Sequence, residues 1–296
     1  MSGLTTLFRV LGVAILAAAL FSAPLPKASA AGVEYLMVPS AAMGRDIPVA
    51  FQGGGPHAVV LLDAFNAAPD VSNWVRVGNA MNALAGSGLS VAAPAGGAYS
   101  LYTNWELDGS KQWETFLADE LPNWLAANKG LAPNRHAIVG ASQGGTAAVT
   151  MATFHPDRYS YAGSLSGYLT PSNTQVNGMI SNAINSGGAD INAMWGAPQL
   201  GRWKWHDPNV HANLLVANNT RLWVYSPMNF TCTDPAAMGG DFCAVAQGTS
   251  RTFYAHYRSL GGRNGQFNFP AGGNHDWGSW AAELGAMAGD IAATVK

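Results

Sequence analysis

The sequence predicts an α/β protein in which a mostly parallel central sheet is covered by helices on both faces. Short, mainly apolar runs at residues 58–62, 89–93 and 137–139 are typical of strands buried on both sides. Between these runs, apolar residues recur at three- and four-residue spacing, which is the period of an amphipathic helix. The alternation of the two patterns favours parallel strands joined by crossover helices.

The first 30 residues have the pattern of a cleaved secretory signal peptide. Arg9 precedes an apolar run over residues 10–21, and Ala28 and Ala30 provide the small residues of a cleavage site. An uncleaved membrane anchor is the alternative, but the run is short for a bilayer. We therefore expect a secreted protein, free or associated with the cell wall, with one domain over residues 31–296.

The remaining elements follow from local patterns. Residues 35–39 and 47–51 predict two early strands joined by a turn, and residues 222–225 predict the last clear strand. Residues 113–125 predict a helix kinked by Pro122, and the chain ends in a helix from about Trp280. A further helix is predicted from the spacing of four apolar residues: Trp74, Val77, Met81 and Leu84.

The strand at 137–139 leads into Gly140-Ala-Ser142-Gln-Gly144 and then into an Ala-rich stretch without a helix breaker. A strand, a tight turn and a helix form the context of a nucleophile elbow, in which glycines leave room around an exposed serine. The alternative is that the glycines only allow the helix to pack on the strand. We expect an α/β-hydrolase fold with Ser142 as the nucleophile.

A serine nucleophile needs a base, and in this fold the chain order is serine, acid, histidine. Among the seven histidines, His275 is favoured because it follows the last clear strand in a Gly-rich loop. Residues 226–230, where the acid usually lies, hold no carboxylate, so Asp241 is our first choice and Asp234 the second. A solvated surface position is the alternative for each. The oxyanion hole would use the backbone N–H groups of Gln143 and Phe65.

Two further features constrain the chemistry. Cys232 and Cys243 are the only cysteines, and in an oxidising compartment we expect a disulfide, with two free thiols as the alternative. No metal-binding or nucleotide-binding motif occurs, so we expect neither metal nor cofactor. Outside the leader, 13 of the 15 basic residues remain against 17 acidic ones, and nothing suggests a nucleic-acid partner. We expect no stable membrane insertion.

Ordered blocks run over the whole mature chain and include the elbow, residues 38–47 and 217–225, and the pair His275 and Trp277. Together they resemble the secreted antigen 85 complex of mycobacteria. The resemblance implies an α/β-hydrolase fold and mycolyl transfer between trehalose esters, or to cell-wall arabinogalactan, by a Ser–Glu–His triad. The serine corresponds to Ser142 and the histidine to His275, but the glutamate falls at about Cys243.

The resemblance also bears on substrate binding. Asp63 and Trp277 correspond to sugar-site positions of that family, whereas its trehalose-binding arginine is Asn66 here. Residues 62–66 and 201–208 resemble a branch that is held to lack a working triad and to bind sugars and host fibronectin. Two hypotheses follow: a protein binding small sugars or a trehalose-type glycolipid and fibronectin, with little or no mycolyltransferase activity, or an active serine acyltransferase or esterase with a replacement acid.

Overall fold

A computed structural model describes residues 32–228 and 242–296, and an eight-stranded sheet forms its centre. The strand order is β1-β2-β4-β3-β5-β6-β7-β8. The pairs β1–β2 and β2–β4 are antiparallel and the other five are parallel, which confirms the predicted mostly parallel sheet. The strands are β1 (Glu34–Ser40), β2 (Arg45–Gln52), β3 (Ala58–Leu62), β4 (Ser90–Pro94), β5 (His136–Ala141), β6 (Tyr159–Leu165), β7 (Arg221–Tyr225) and β8 (Gly265–Asn268).

Helices cover both faces of the sheet. Within the described residues they are α1 (Asn73–Arg76), α2 (Ala80–Ala83), α3 (Trp113–Thr115), α4 (Leu121–Lys129), α5 (Gln143–Phe154), α6 (Thr174–Ser186), α7 (Asn192–Trp195), α8 (Ala212–Ala217), α9 (Phe242–Ser259) and α10 (Trp277–Val295). Short 3₁₀ turns occur at Pro198–Leu200 and Arg202–His206. Side chains of β3 alternate between two hydrophobic clusters, with Val60 in the first and Val59 and Leu61 in the second, so each face of the sheet has its own core.

The helix predicted around Pro122 is continuous but contains a wide turn. A π-helical segment, Phe116–Glu120, joins α3 to α4, and Pro122 lies in the first turn of α4. Proline lacks an N–H and clashes with the carbonyl of the preceding turn. A widened turn just before it relieves that conflict, so the predicted kink takes the form of a π-bulge.

The prediction of one helix from Trp74 to Leu84 is wrong. Two one-turn helices, α1 and α2, form instead, and Val77 between them is 56% exposed. Gly78 and Asn79 break the helix: Asn79 has φ of 48°, and a Cβ on Gly78 would lie 2.9 Å from Trp74 Cα. The sheet also continues past β7, which was predicted as the last clear strand, because β8 adds an edge strand beside it.

Several predictions fall outside the described residues. These are the signal peptide, the two candidate acids Asp234 and Asp241, and Cys232. Cys243 is described and buried in the first turn of α9, and its pairing with Cys232 stays a prediction. None of the helices in the described ranges is long and apolar enough to span a membrane.

Candidate active site

Ser142 lies between β5 and α5 in a strained backbone conformation. Its φ of 55° and ψ of −118° place it in a region that side chains other than glycine rarely adopt. Such strain costs about 1–3 kcal/mol and persists where the surrounding structure enforces it. The Ser142 N–H donates to Leu165 O at 2.8 Å, which fixes the turn to the end of β6. The strand, turn and helix predicted around this serine are all present.

The glycines of the motif are needed for close packing. A Cβ on Gly140 would lie 2.2 Å from the Gly144 carbonyl carbon, and one on Gly144 would lie 2.4 Å from Leu62 O. Both distances are far below van der Waals contact. The backbone of α5 therefore approaches β5 and β3 only because both positions lack side chains.

The side chain of Gln143 ties the elbow to its neighbouring loops. It is fully buried, and its Oε1 accepts from Leu101 N at 3.1 Å. Its Nε2 donates to Ala64 O and Gly97 O, both at 2.9 Å. This side chain thus holds the loop after β3, which carries Phe65, beside the first N–H of α5. The proposed oxyanion pair, Gln143 and Phe65, lies on these two connected segments, and its function stays a prediction.

A cavity of about 480 Å³ opens at the carboxyl end of the sheet, where ligands of open α/β sheets bind. Four predicted residues line it: Ser142, His275, Asn66 and Trp277. Phe65 also lines it, so five sequence-predicted residues meet here. The other lining residues are Ala64, Val77, Tyr99, Tyr168, Phe242, Asp276, Gly278 and Trp280.

The hydroxyl of Ser142 is hydrogen-bonded to Tyr168. The distance from Ser142 Oγ to Tyr168 Oη is 3.1 Å, and both side chains are buried. No hydrogen bond between Ser142 and His275 occurs among the described residues. The partner expected for the serine is thus replaced by a phenol.

His275 is 3% exposed and packs between aromatic rings. Its ring centroid is 6.2 Å from that of Tyr168, nearly parallel, and 5.0 Å from that of Trp280, edge to face. Burial lowers the pKa of His275 to about 4, so the ring is neutral at pH 7. Its Nδ1 is buried with no hydrogen-bond partner in the described part of the chain. A catalytic histidine needs an acceptor at that nitrogen to orient it.

Asp63, expected from the resemblance to contact sugar, is placed differently. It is fully buried, does not line the cavity, and has three donors on its carboxylate: Ser72 Oγ at 2.9 Å, Asn73 N at 3.1 Å and Trp74 N at 3.1 Å. Burial raises the pKa of Asp63 to about 7, although these three donors act to lower it. The carboxylate therefore holds the start of α1. The expected direct sugar contact is corrected, because the buried side chain of Asp63 does not line the cavity.

Asn66 and Trp277 lie where a ligand would meet them. Asn66 is exposed on the loop after β3, and its carbonyl accepts from Asn73 Nδ2 at 3.1 Å. Trp277 opens α10 and packs edge to face on Trp74 and Trp280, at centroid distances of 5.2 and 5.1 Å. Asp276 caps the same helix through Ser279 N at 2.8 Å. Trp277 is thus a partly exposed aromatic surface on a fixed support.

Tyr168 is the residue that sequence reasoning missed. The signal available was its position just after β6, the strand parallel to β5, since the carboxyl ends of neighbouring parallel strands meet at one edge. No group of three or more histidine, cysteine or acidic residues that could hold a metal occurs in the described ranges. The residues that line the site include Ser142, His275 and the aromatic walls.

Comparison with known proteins agrees with this geometry. The esterase family model matches residues 40–291. The MPT51/MPB51 antigen of Mycobacterium bovis is 63% identical over 300 residues and covers 100% of both chains. The diacylglycerol acyltransferase/mycolyltransferase Ag85B of Mycolicibacterium smegmatis is 45% identical over 277 residues, which are 88% of this chain and 84% of that protein.

Solved structures show the same fold. The crystal structure of Mycobacterium tuberculosis MPT51 has a TM-score of 0.87 and 67% identity, covering 90% of this chain and 100% of that chain. The serine hydrolase FphF of Staphylococcus aureus has a TM-score of 0.68 at 16% identity, covering 88% of this chain and 98% of that chain, and shows the fold alone. The chain belongs to the esterase family of α/β-hydrolase proteins and, within it, to the antigen 85 group that includes the MPT51/MPB51 antigens.

Proposed function

We propose that this protein is a secreted carbohydrate-binding member of the antigen 85 group, with little or no mycolyltransferase activity. The observation that carries the proposal is the hydrogen bond between the Ser142 and Tyr168 hydroxyls, 3.1 Å long, beside a buried histidine whose Nδ1 has no partner in the described residues. A serine hydroxyl is a weak nucleophile unless an adjacent base accepts its proton. Among the described residues, no base contacts the Ser142 hydroxyl.

The electrostatics of His275 support the same conclusion. During acyl transfer the imidazole must become positively charged, and a carboxylate at Nδ1 normally stabilises that charge. The imidazole of His275 is buried, and its pKa is lowered to about 4, so charging it is unfavourable. Asp276 is the charged neighbour that raises this pKa, but its side chain accepts the N–H of Ser279 instead. Efficient proton transfer through His275 is therefore disfavoured.

The cavity has mainly aromatic and apolar walls, with a few polar groups among them. Its volume, about 480 Å³, lies within the range of ligand pockets. The partly exposed ring of Trp277 offers a flat surface on which a sugar ring can stack, while Asn66 and Asp276 offer polar groups. Small sugars or the head group of a trehalose-type glycolipid match these walls. Host fibronectin remains a proposed partner through the antigen 85 resemblance alone.

A serine esterase is the second candidate, and one observation favours it. Ser142 keeps the strained elbow geometry, with φ of 55°, above the first turn of α5. Strain of this kind accompanies functional sites. In this reading Asp241 or Asp234, both outside the described residues, would supply the acid, and a ligand would have to separate Ser142 from Tyr168.

The test combines sugar titration with serine labelling. Glucose and trehalose are titrated by tryptophan fluorescence into the mature wild-type protein, Trp277→Ala and Trp205→Ala. Trp205 is the matched control, since it is 62% exposed and does not line the cavity. We expect saturable binding that Trp277→Ala weakens at least tenfold and Trp205→Ala leaves unchanged. Equal affinity in all three proteins would contradict the proposed site.

The same preparations are treated with a fluorophosphonate and examined by intact mass, beside Ser142→Ala and His275→Ala. Slow labelling that His275→Ala leaves unchanged supports a binding protein. Rapid, stoichiometric labelling that both substitutions abolish would establish the esterase candidate instead. Fibronectin binding is measured separately on immobilised fibronectin with the same variants.

A further inference from the structure

The cavity contains a continuous stack of aromatic rings. Tyr99 and Phe65 have centroids 5.8 Å apart, and Phe65 and Tyr168 6.2 Å apart. Tyr168 and His275 follow at 6.2 Å. The ring planes differ by only 20–25° at each step. Tyr168 is therefore an inner layer of a four-ring stack that starts beside the loop after β3 and ends at the histidine.

The spacing of this stack leaves no room for a hydrocarbon chain between the rings. Carbon atoms make contact at about 3.5–4.0 Å, so a chain between two parallel rings needs about 7–8 Å between their planes. The centroids on either side of Tyr168 are only 6.2 Å away. An acyl chain leaving Ser142 in this direction would have to displace the Tyr168 ring.

The backbone of Tyr168 holds that ring in place. Its N–H donates to Thr146 Oγ1 at 2.8 Å, and the next N–H, of Leu169, donates to Thr249 Oγ1 at 3.2 Å. The preceding Gly167 is packed so closely that a Cβ would lie 2.4 Å from Ser164 Oγ. Tyr168 is itself fully buried and also contacts Phe242, with centroids 6.1 Å apart. The ring is a fixed wall beside Ser142.

We propose that Tyr168 is the specificity-determining residue of this site: its ring excludes long acyl chains and its hydroxyl holds the Ser142 hydroxyl. The inference rests on the cavity of the proposed function and narrows its ligand class. The site accepts a polar head group at the Asn66 and Trp277 side and rejects a long alkyl chain at the Ser142 side.

The test measures preference for chain length, so it does not depend on catalysis. Ethylphosphonate and decylphosphonate are titrated by calorimetry into wild type, Tyr168→Phe and Tyr168→Leu, with decylphosphonate below its micelle concentration. Tyr168→Phe is the matched control because it keeps the ring and removes only the hydroxyl. We expect decylphosphonate to bind Tyr168→Leu at least tenfold more tightly than wild type, which corresponds to burial of about two methylenes. Ethylphosphonate binding and the Tyr168→Phe variant should show no such gain.

Labelling with ethyl and decyl fluorophosphonates tests whether the Tyr168 hydroxyl restrains the Ser142 hydroxyl. Tyr168→Phe should raise both labelling rates by the same factor, whereas Tyr168→Leu should raise the ratio of the decyl rate to the ethyl rate. Ser142→Ala sets the blank, and Tyr168→Met replaces Tyr168→Leu if circular dichroism shows that the latter is unfolded. An unchanged chain-length preference in a folded Tyr168→Leu or Tyr168→Met protein would overturn the inference. Failure of sugar binding would overturn only the proposed function, because alkyl-chain exclusion is measured without sugar.

Discussion

The two ends of the sheet each bury a histidine, and the two residues share a similar electrostatic state. His136 begins β5 at the amino end, and His275 lies at the carboxyl end, in the loop before α10. Their exposed fractions are 0% and 3%. Burial lowers the pKa of each to about 4. Each also has one buried ring nitrogen without a hydrogen bond in the described part of the chain: His136 Nε2 and His275 Nδ1.

Their surroundings differ. His136 Nδ1 accepts the N–H of Ala58 at 3.0 Å, and so connects the start of β3 to the start of β5, with His57 edge-on at 6.0 Å. Within the described part of the chain, His275 Nδ1 makes no such connection, and the residue borders the cavity that contains Ser142. A perturbed pKa therefore identifies burial, not function, and the cavity with its reactive neighbour distinguishes the two histidines.

The comparison predicts that the amino-end histidine contributes more to stability. His136→Ala removes the acceptor of the buried Ala58 N–H and leaves a cavity inside the sheet. We expect it to lower the free energy of unfolding by about 3 kcal/mol. His275→Ala removes no hydrogen bond to a described residue and extends an existing cavity, so a loss of about 1 kcal/mol or less is expected. Denaturant unfolding of both variants measures the difference.

The comparison would fail if the two variants were equally unstable. His136→Asn serves as a matched control, since its side-chain oxygen can still accept a backbone N–H while the ring is lost. An intermediate loss in His136→Asn would assign part of the effect to the hydrogen bond with Ala58. A loss equal to that of His136→Ala would assign it to packing alone.

Asp63 sharpens the comparison. It lies at the carboxyl end of the sheet, like His275, but it accepts backbone N–H groups from another segment, like His136. Its carboxylate accepts from the Ser72 hydroxyl and from the N–H groups of Asn73 and Trp74. Asp63→Ala leaves these donors at the start of α1 without that acceptor, and should cost about 2 kcal/mol. Trp74 in α1 packs against Trp277, so Asp63→Ala should weaken sugar binding only to the extent that a shift of α1 also moves Trp277.

The measurement pairs unfolding by denaturant with sugar titration for Asp63→Ala and Asn66→Ala. Asn66 is exposed on the cavity wall, so its substitution should weaken sugar binding and leave stability nearly unchanged. The opposite pattern, with Asp63→Ala stable and unable to bind sugar, would restore Asp63 to a ligand-contact role.

Much of the fold was accessible from sequence because its signals are local. The elbow depends on small residues within a few positions of Ser142, and the close approaches at Gly140 and Gly144 show why. His275 was accessible from its place in a Gly-rich loop after β7. The break between α1 and α2 was not, since the apolar spacing around Val77 is helical and the interruption comes from the close packing of Gly78 and the left-handed backbone of Asn79.

The site was less accessible because its decisive contacts join distant segments. Tyr168 reaches Ser142 through the register between β5 and β6, and no spacing along the chain shows that its ring turns toward the serine. Asp63 follows a buried strand, as ligand-binding residues often do. Its carboxylate instead meets donors about ten residues later, and those contacts exist only after α1 has formed.

The smallest expected effect is the pH dependence of the free energy of unfolding. Its sign is the same for His136 and His275 and opposite for Asp63. A histidine whose folded pKa is about 4 stabilises the protein fully above its unfolded value near 6.5 and loses that contribution as pH falls. Asp63, with its pKa raised to about 7, does the reverse: its contribution to stability grows as pH falls from 7 toward 4. Between pH 7 and 5.5 each group changes the free energy of unfolding by about 1–2 kcal/mol. His136→Asn and His275→Asn should therefore become less destabilising than at pH 7, and Asp63→Asn more destabilising. Urea unfolding at both pH values measures this, and an Asp63→Asn effect that is the same at both pH values would show that the carboxylate of Asp63 is ionised as readily as an exposed one.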